Sequence, residues 1–583
     1  MKVEIIAEVA NAHQGNPDLA LKLATEAVAA GADAVKFQVY FAEELLVRAH
    51  PRFEHFRKQS FGPEVWERLI PAVKALGAKV YCDVFGVEAL AVAARLGADG
   101  FKVHSSDLGN KPLLQALAGR ESRLFLSAGG SSAREIAYAL DLLGTKGSRP
   151  VLLHGYQSYP TAVEDSALAR LGWLAQLFGE RCDIGYMDHV AGDDPFAVTL
   201  PVMAVGMGAR VIEKHVTFDR AAQGVDWYSS IEPAEFKDFV VAVRRAEAAI
   251  GGRPDRFTPS ERTYRATVKK HWVTARALPL GHLLTPSDLV NKRVADAKGD
   301  AVEMEKLVGR PLSQAVSEEE PLTRAHVENK TWAVVVARMR SSRLPGKALL
   351  DMAGQPALVH LFERLKQCRR VDRVLFCTTT LAEDDALARL AGHCGITCHR
   401  GPVDDVLARM LGGLDGQEVD LLLRVTGDDI LVDPDYADMA VDHHLATNAE
   451  YSDLKALPSG TEVEVFDVAL LRTIYQLCRD SGGTEYLTTY VVDNKDQFRT
   501  ATVPVPDAHA HDWRLTLDTE EDCEVVRRFL VAMRDSGKAL TYRLDDVVAW
   551  FKAHPEVLAI NSMVRQRSTP PQVNTEMNWR SLA

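Results

Sequence analysis

With 583 residues, 47% of them hydrophobic and 25% charged, the chain has the make-up of a folded globular protein of about three or four domains. A formal net charge of −12 argues against nonspecific binding to nucleic acid or to an anionic membrane surface, so neither is expected as a partner. No apolar run approaches the roughly 18 residues of a membrane span, and the opening MKVEIIAEVA reads as a strand rather than a leader.

Along residues 1–252, eight short β-rich runs alternate with segments of helical period: KVEIIAEV, AVKFQVY, KVYCDVF, GFKVHSS, RLFLSAG, PVLLHGY, DIGYMDH and VIEKHVT. The first helix has a clear start, with Asn16 as N-cap and Pro17 at the first helical position. Eight strand-helix units in about 250 residues predict an α/β fold, a (β/α)8 TIM barrel, with an open doubly wound sheet as the alternative. Polar residues gather at the carboxyl ends of the runs, where such barrels do their chemistry: Glu8, Asn11, His13, Lys36, Gln38, Asp83, Lys102, Ser105, Asp107, Ser127, His154, Asp188 and Lys214. The last two runs end on His189 and His215, and right-handed crossover sets consecutive strands side by side. With Asp188 and Glu213 they form a candidate divalent-metal site, unless they are merely polar strand ends facing solvent. Lys36 and Lys102 lie inside apolar strands, where an unpaired ammonium is costly. A phosphate and a carboxylate would offset that cost, and a metal with open positions would polarise an aldehyde oxygen. The eight cysteines stand singly with no C-x-x-C pair, which predicts reduced thiols and a cytoplasmic setting.

The ordered segments AEVANAHQGN, VKFQ, KVHSSDLGN, LSAGG, LLHGYQSYPT, IGYMDH and VIEKH resemble those of the sialic acid (N-acetylneuraminate) synthases. That resemblance implies condensation of phosphoenolpyruvate with an N-acylated hexosamine, releasing phosphate and giving a nine-carbon 2-keto acid. It implies Mn2+ or Mg2+ on His189 and His215, phosphoenolpyruvate on Lys36, Lys102, Ser105 and Ser127, and Glu8 near the reacting carbons. Gln157, Tyr159 and Asp107 would contact the sugar. The chain departs from the pattern at Met187, where Ser is usual, at Gln157 for Asn, at Asp83 for Thr and at His104 for Ala.

Residues 253–267, rich in Gly, Pro and charge, read as a linker. The compact stretch 268–329 resembles the SAF (antifreeze-like) domain of the same synthases. In that family it crosses to the partner barrel of a homodimer and presents an arginine to the sugar, a role that falls on Arg293.

Residues 330–565 turn strand-like again. WAVVVARM is followed by a loop carrying Arg338, Ser342, Arg343, Gly346 and Lys347, suited to a polyphosphate although no Walker loop is present. Asp428 and Asp518 each follow an apolar strand and suit Mg2+, whereas Asp429, Glu520 and Glu521 read as helix N-terminal acids. ARMRSSRLPGKAL, TTTLAEDD, HRGPVDDVLARM, RVTGDDILVDP, GTEVEVF and LTLDTEED resemble the cytidylyltransferases that activate 2-keto sugar acids, with a Rossmann-like α/β fold. The resemblance puts CTP on Arg338, Ser342, Arg343 and Lys347, with Thr379, Arg400 and Asp404 lining the nucleotide site. It puts Mg2+ on Asp428 and Asp518, and the sugar near Glu462, Glu464 and Glu485. Residues 566–583, polar and Pro-containing, predict a disordered tail.

Both halves thus imply one bifunctional enzyme that makes a sugar acid and activates it as the CMP derivative. The alternatives are a synthase for a non-sialic aldose acceptor, or an active cytidylyltransferase carrying a barrel that serves as sugar-binding or dimerisation scaffold.

Overall fold

A computed structural model describes residues 2–155, 158–295, 299–341, 343–479, 486–564 and 574–582. The chain divides into two compact units, Met1–Gly252 and Arg253–Ala583. In the first, β1 (Glu4–Glu8), β2 (Ala34–Val39), β3 (Lys79–Val84), β4 (Gly100–Val103), β5 (Arg123–Ser127), β6 (Val151–His154), β7 (Asp183–Asp188) and β8 (Val211–His215) form a closed parallel barrel. β8 pairs back onto β1, which rules out the open sheet. The helix Pro17–Ala29 begins as its sequence dictates, the Asn16 side chain accepting from the backbone N–H groups of Asp18 and Leu19.

Alternation along the strands decides which side chains enter the barrel. Ile6, Ala34, Tyr81, Phe125, Val151, Leu153, Met187 and Val211 pack its interior as one cluster. Two residues further along their strands, the same faces carry Glu8, Lys36, Asp83, Ser127 and Glu213, all buried. The opposite faces, Ile5, Val35, Phe37, Val80 and Cys82 among them, join the core shared with the surrounding helices.

In the second unit β9 (Lys270–Thr274) and β10 (Leu289–Arg293) pair antiparallel over a small core around Leu278, Leu284 and Leu307. The stretch read as a linker is partly helical: Pro259–Val268 starts on a capping box of Thr258 and Glu261. The remaining strands are β11 (Thr331–Val336), a hairpin of β12 (Asp351–Met352) and β13 (Gln355–Pro356), β14 (Arg373–Thr379), β15 (Thr397–Gly401), β16 (Leu421–Thr426), β17 (Tyr451–Asp453), β18 (Glu464–Asp467) and β19 (Thr500–Thr502). All but the hairpin build one sheet in the order β15-β14-β11-β16-β18-β17-β19. The chain runs from β11 to β14 and β15 on one side and returns to β16 on the other. The order therefore reverses beside β11, and a crevice opens at the carboxyl ends of β11 and β16.

The segment around β9 and β10 is fastened to this sheet by charge. Buried Arg324 pairs with Asp467 at the end of β18, and Lys306 Nζ lies 3.0 Å from the same carboxylate. The expected disordered tail does not hold for 574–582: Met577 is buried in a bridge with Cys478, and Trp579 packs 5.9 Å from Phe498. The apolar side chains of Met577 and Trp579 supply the reason. Among the described residues no helix is long and apolar enough to cross a membrane.

Candidate active sites

The barrel closes Lys36 and Lys102 onto three carboxylates. Lys36 Nζ lies 2.5 Å from Glu8 Oε2, 2.8 Å from Glu213 Oε2 and 3.6 Å from Asp83 Oδ2. Lys102 Nζ donates to Glu213 Oε1 at 2.8 Å and lies 3.5 Å from Asp83 Oδ2. The protein's own carboxylates therefore compensate the buried ammoniums, a source of charge that the sequence reading did not include. Three carboxylates against two ammoniums leave one negative charge in excess. Burial, opposed by Glu213, pulls the Lys36 ammonium down to about 8. Burial would lower Lys102 too, but the charges of Glu213 and Asp83 outweigh it and raise that group. Burial would likewise raise Glu213, yet the two lysines hold it well below the usual carboxylate range.

The imidazoles of His189 and His215 sit beside this cluster with ring centroids 5.2 Å apart, as the crossover argument predicts. Tyr159 sets its ring edge-on, 4.7 Å from His189 and 6.2 Å from His215. Burial, then the charge of His189, keeps His215 neutral, and its buried Nδ1 has no hydrogen-bond partner. Two converging imidazoles, with the Nδ1 of His215 orphaned, fit a divalent ion. Among the described residues no group of three or more His, Cys, Asp or Glu side chains is arranged to hold a metal, so further ligands would come from substrate or water.

Asp188 is not part of this site. It lies on the opposite face of β7 from His189, pairs with buried Lys214 and accepts from Tyr186 Oη at 3.1 Å. Lys214 and His154 are turned outward by the same alternation, His154 Nε2 lying 3.0 Å from the Ser166 carbonyl oxygen. Adjacent positions in a strand cannot share a face. Ser127 points inward and its hydroxyl meets Met187 Sδ at 3.6 Å. Ser105 and Asp107 form the short turn after β4, where Asp107 accepts from Asn110 Nδ2 and Ser106 Oγ, both at 2.9 Å. Arg293 ends β10 with an exposed side chain. Gln157, Ser342 and Glu485 lie outside the described residues.

At the crevice beside β11 a cavity of about 570 Å³ is lined by Arg338, Arg340, Arg343, Lys347, Arg424, Thr426, Asp428 and Asp518, among others. Lys347 Nζ bridges the two carboxylates, 2.5 Å from Asp428 Oδ2 and 2.9 Å from Asp518 Oδ1. Arg343 and Arg514 each reach Asp518 at 2.7 Å. Burial would lower Lys347, but Asp428 and Asp518 outweigh it and raise its pKa. Two carboxylates converging on one cation suit Mg2+, which takes its remaining ligands from phosphate and water. Thr379, Arg400 and Asp404 are not among the cavity's lining residues. Arg400 instead ties down the loop after β14, donating to the Thr379 carbonyl at 2.9 Å, to the Leu381 carbonyl at 2.7 Å and to Asp385 at 2.6 Å. Thr379 is buried against Asp384, and Asp404 is exposed.

A second cavity of about 270 Å³ shares Arg424 and Thr426 with the first and is lined by Asp429, Tyr451, Asp453, Lys455, Glu462, Glu464 and Thr488. Asp429, read from the sequence as a helix-capping acid, instead accepts from Thr426 Oγ1 at 2.5 Å in a turn before the helix Pro434–Ala446. Burial, then the charge of Asp428, pushes it up to about 7. Burial, with Asp429 and Glu464 nearby, pushes Glu462 up to about 8. Glu464 is held down because Arg424, 2.5 Å away, outweighs its burial. Sequence reasoning missed Arg424, although a cation inside the apolar run LLLRVT is the same signal that singled out Lys36.

Comparison with known proteins agrees with this division. Residues 23–254 match the NeuB family, residues 273–328 the SAF domain, and residues 332–539 the cytidylyltransferase family. An uncharacterized protein of Methanocaldococcus jannaschii is 32% identical over 290 residues, 50% of this chain and 84% of that protein. The N,N'-diacetyllegionaminic acid synthase of Legionella pneumophila is 29% identical over 343 residues, 56% of this chain and 94% of that enzyme. The crystal structure of an N-acetylneuraminic acid synthetase from Leptospira borgpetersenii is similar at 32% identity, covering 46% of this chain and 93% of that one with a TM-score of 0.43. The chain belongs to the NeuB family, its barrel joined in one polypeptide to a SAF domain and a cytidylyltransferase domain.

Proposed function

We propose that this protein is a bifunctional transferase. Its barrel condenses phosphoenolpyruvate and water with an aldose, an N-acyl hexosamine foremost, to a 2-keto-3-deoxy nonulosonic acid and phosphate. Its cytidylyltransferase joins that acid to CTP, giving the CMP-sugar and pyrophosphate. The convergence of Lys36, Lys102, His189 and His215 on one barrel mouth is the observation that carries the reading. Lys36 and Lys102, with Ser105 and Ser127, bind the phosphate and carboxylate of phosphoenolpyruvate, and Glu8 lies at the reacting carbons. Mn2+ or Mg2+ held by His189 and His215 would supply Lewis acidity toward the aldehyde oxygen. Tyr159, Asp107 and Gln157 orient the sugar, with Arg293 of a partner subunit in a cytoplasmic homodimer.

In the second unit Arg338, Ser342, Arg343 and Lys347 grip CTP, and Mg2+ would sit on Asp428 and Asp518. The sugar acid's anomeric hydroxyl attacks the α-phosphorus while Glu462 and Glu485 hold the sugar. Such a transfer rests on positioning and charge neutralisation, which the cationic lining of the larger cavity provides.

The test is incubation with phosphoenolpyruvate, CTP and a panel of hexosamines and other aldoses, measuring phosphate release and product mass. One acceptor should give both phosphate and a CMP-sugar. A CMP product formed only when a finished keto acid is supplied would favour the scaffold reading of the barrel, for which Met187 beside Ser127 is the supporting observation. Phosphate release that persists after joint His189→Ala and His215→Ala substitution would remove the metal role.

A further inference from the structure

The buried cluster at the barrel mouth is unevenly bonded. Glu213 holds both lysines at hydrogen-bonding range, one oxygen at 2.8 Å from Lys36 and the other at 2.8 Å from Lys102. Asp83 does not. Its Oδ2 lies 3.6 Å from Lys36 Nζ and 3.5 Å from Lys102 Nζ, almost equidistant and ion-paired with both without a hydrogen bond to either. Neither Asp83 oxygen has a hydrogen-bond partner, although the residue is only 1% exposed. A carboxylate buried without donors is costly, and the field of the two ammoniums is what offsets it. The strand register fixes it there, because Asp83 stands level with Lys102 on β4 and with Gln38 on β2.

We propose that Asp83 is an internal counter-ion that occupies the oxyanion position between Lys36 and Lys102 and sets how weakly the barrel binds phosphoenolpyruvate. This rests on the reading of the barrel as a phosphoenolpyruvate site. An oxyanion arriving between the two lysines either pushes the Asp83 carboxylate aside or settles next to a like charge in a poorly screened interior. Glu213, which anchors both ammoniums, stays in place. Asp83 therefore supplies the surplus negative charge of the empty mouth, and substrate and product phosphate compete with it for the same two cations.

The experiment is calorimetric titration of the full chain with phosphoenolpyruvate and, separately, with inorganic phosphate. Mn2+ is present, and saturating CTP fills the nucleotide cavity. In Asp83→Asn both ligands should bind tighter by about 10-fold or more, since one like charge has been removed from a buried site. In Asp83→Glu, whose longer arm carries the carboxylate toward the lysines, both should bind more weakly. A residue that served only to keep the lysines in place would give the opposite sign in Asp83→Asn. Unchanged or weaker binding there, with a retained thermal transition, overturns the proposal. Should Asp83→Asn fail to fold, unchanged or tighter binding in Asp83→Glu overturns it instead. Wild-type protein that binds neither ligand would overturn the phosphoenolpyruvate reading itself, and this proposal with it.

Discussion

The barrel mouth and the nucleotide cavity both set lysine against paired carboxylates, yet they differ in where the charges stand. In the barrel, the side chains of Lys36 and Glu213 are 0% and 2% exposed, whereas those of Lys347 and Asp428 are 16% and 20% exposed. Lys36 and Lys102 project from the middle of rigid strands, where water cannot replace a lost partner. Lys347 and Arg343 come from the loop after β11, at a crevice that solvent reaches. A broken pair should therefore cost the barrel its stability and cost the transferase its rate.

The sharpest way to break that contrast is Glu213→Gln. Removing the shared anchor of two buried ammoniums should destabilise the first unit by about 3–5 kcal/mol, measured by denaturant unfolding. A loss under about 1 kcal/mol, the range of exposed ion pairs, would mean that Glu8 and Asp83 suffice. The same carboxylate links stability to acid. Its folded pKa is depressed, so its contribution is present above the unfolded value of about 4.3 and is lost as pH falls through the folded value. Wild-type stability should fall with pH inside that window, and Glu213→Gln should flatten the dependence.

Lys347→Ala should lower cytidylyl transfer by about 10²–10³-fold, the usual cost of deleting one aimed charge donor. It should leave phosphate release by the barrel and the unfolding of the second unit nearly unchanged. A large drop in stability would place Lys347 with the buried lysines instead.

Glu462→Gln should give a smaller, pH-dependent effect of opposite sign. The folded pKa of about 8 lies above the unfolded value, so wild type loses stability as pH rises from the ordinary carboxylate range through about 8. The neutral variant should accordingly unfold later than wild type at pH 9 and no later at pH 4 in thermal scans. Equal curves would sink the assignment of an uncompensated carboxyl in the smaller cavity. Arg262→Ala, which removes an ion pair to Asp496 from a half-exposed arginine, should cost only about 0.2–1 kcal/mol. That is the surface baseline against which the buried cluster is judged.

Much of the barrel was legible. Eight β-rich runs separated by helical periods marked its strands, and a cation inside an apolar run flagged Lys36 and Lys102. The pairing of His189 with His215 followed from consecutive strands alone. What failed did so for identifiable reasons. Asp188 was grouped with His189 because they are neighbours in sequence, and strand alternation sends them to opposite faces. Motif resemblance alone could not show that the Arg400 guanidinium also binds two backbone carbonyls and Asp385. Asp429 looked like a capping acid because its distance to Glu462 and Asp453 depends on how β17 and β18 add to the sheet.

By itself the sequence determined the strand and helix periods, the barrel, the domain order and the residue types at each strand end. These are local properties, written in periods of two and of nearly four residues. Only the tertiary structure decided which buried charge balances which. Glu8, Asp83 and Glu213 come from three separate strands, and closure of the barrel, not any spacing along the chain, brings them to two ammoniums. The same closure leaves one carboxylate there without a donor.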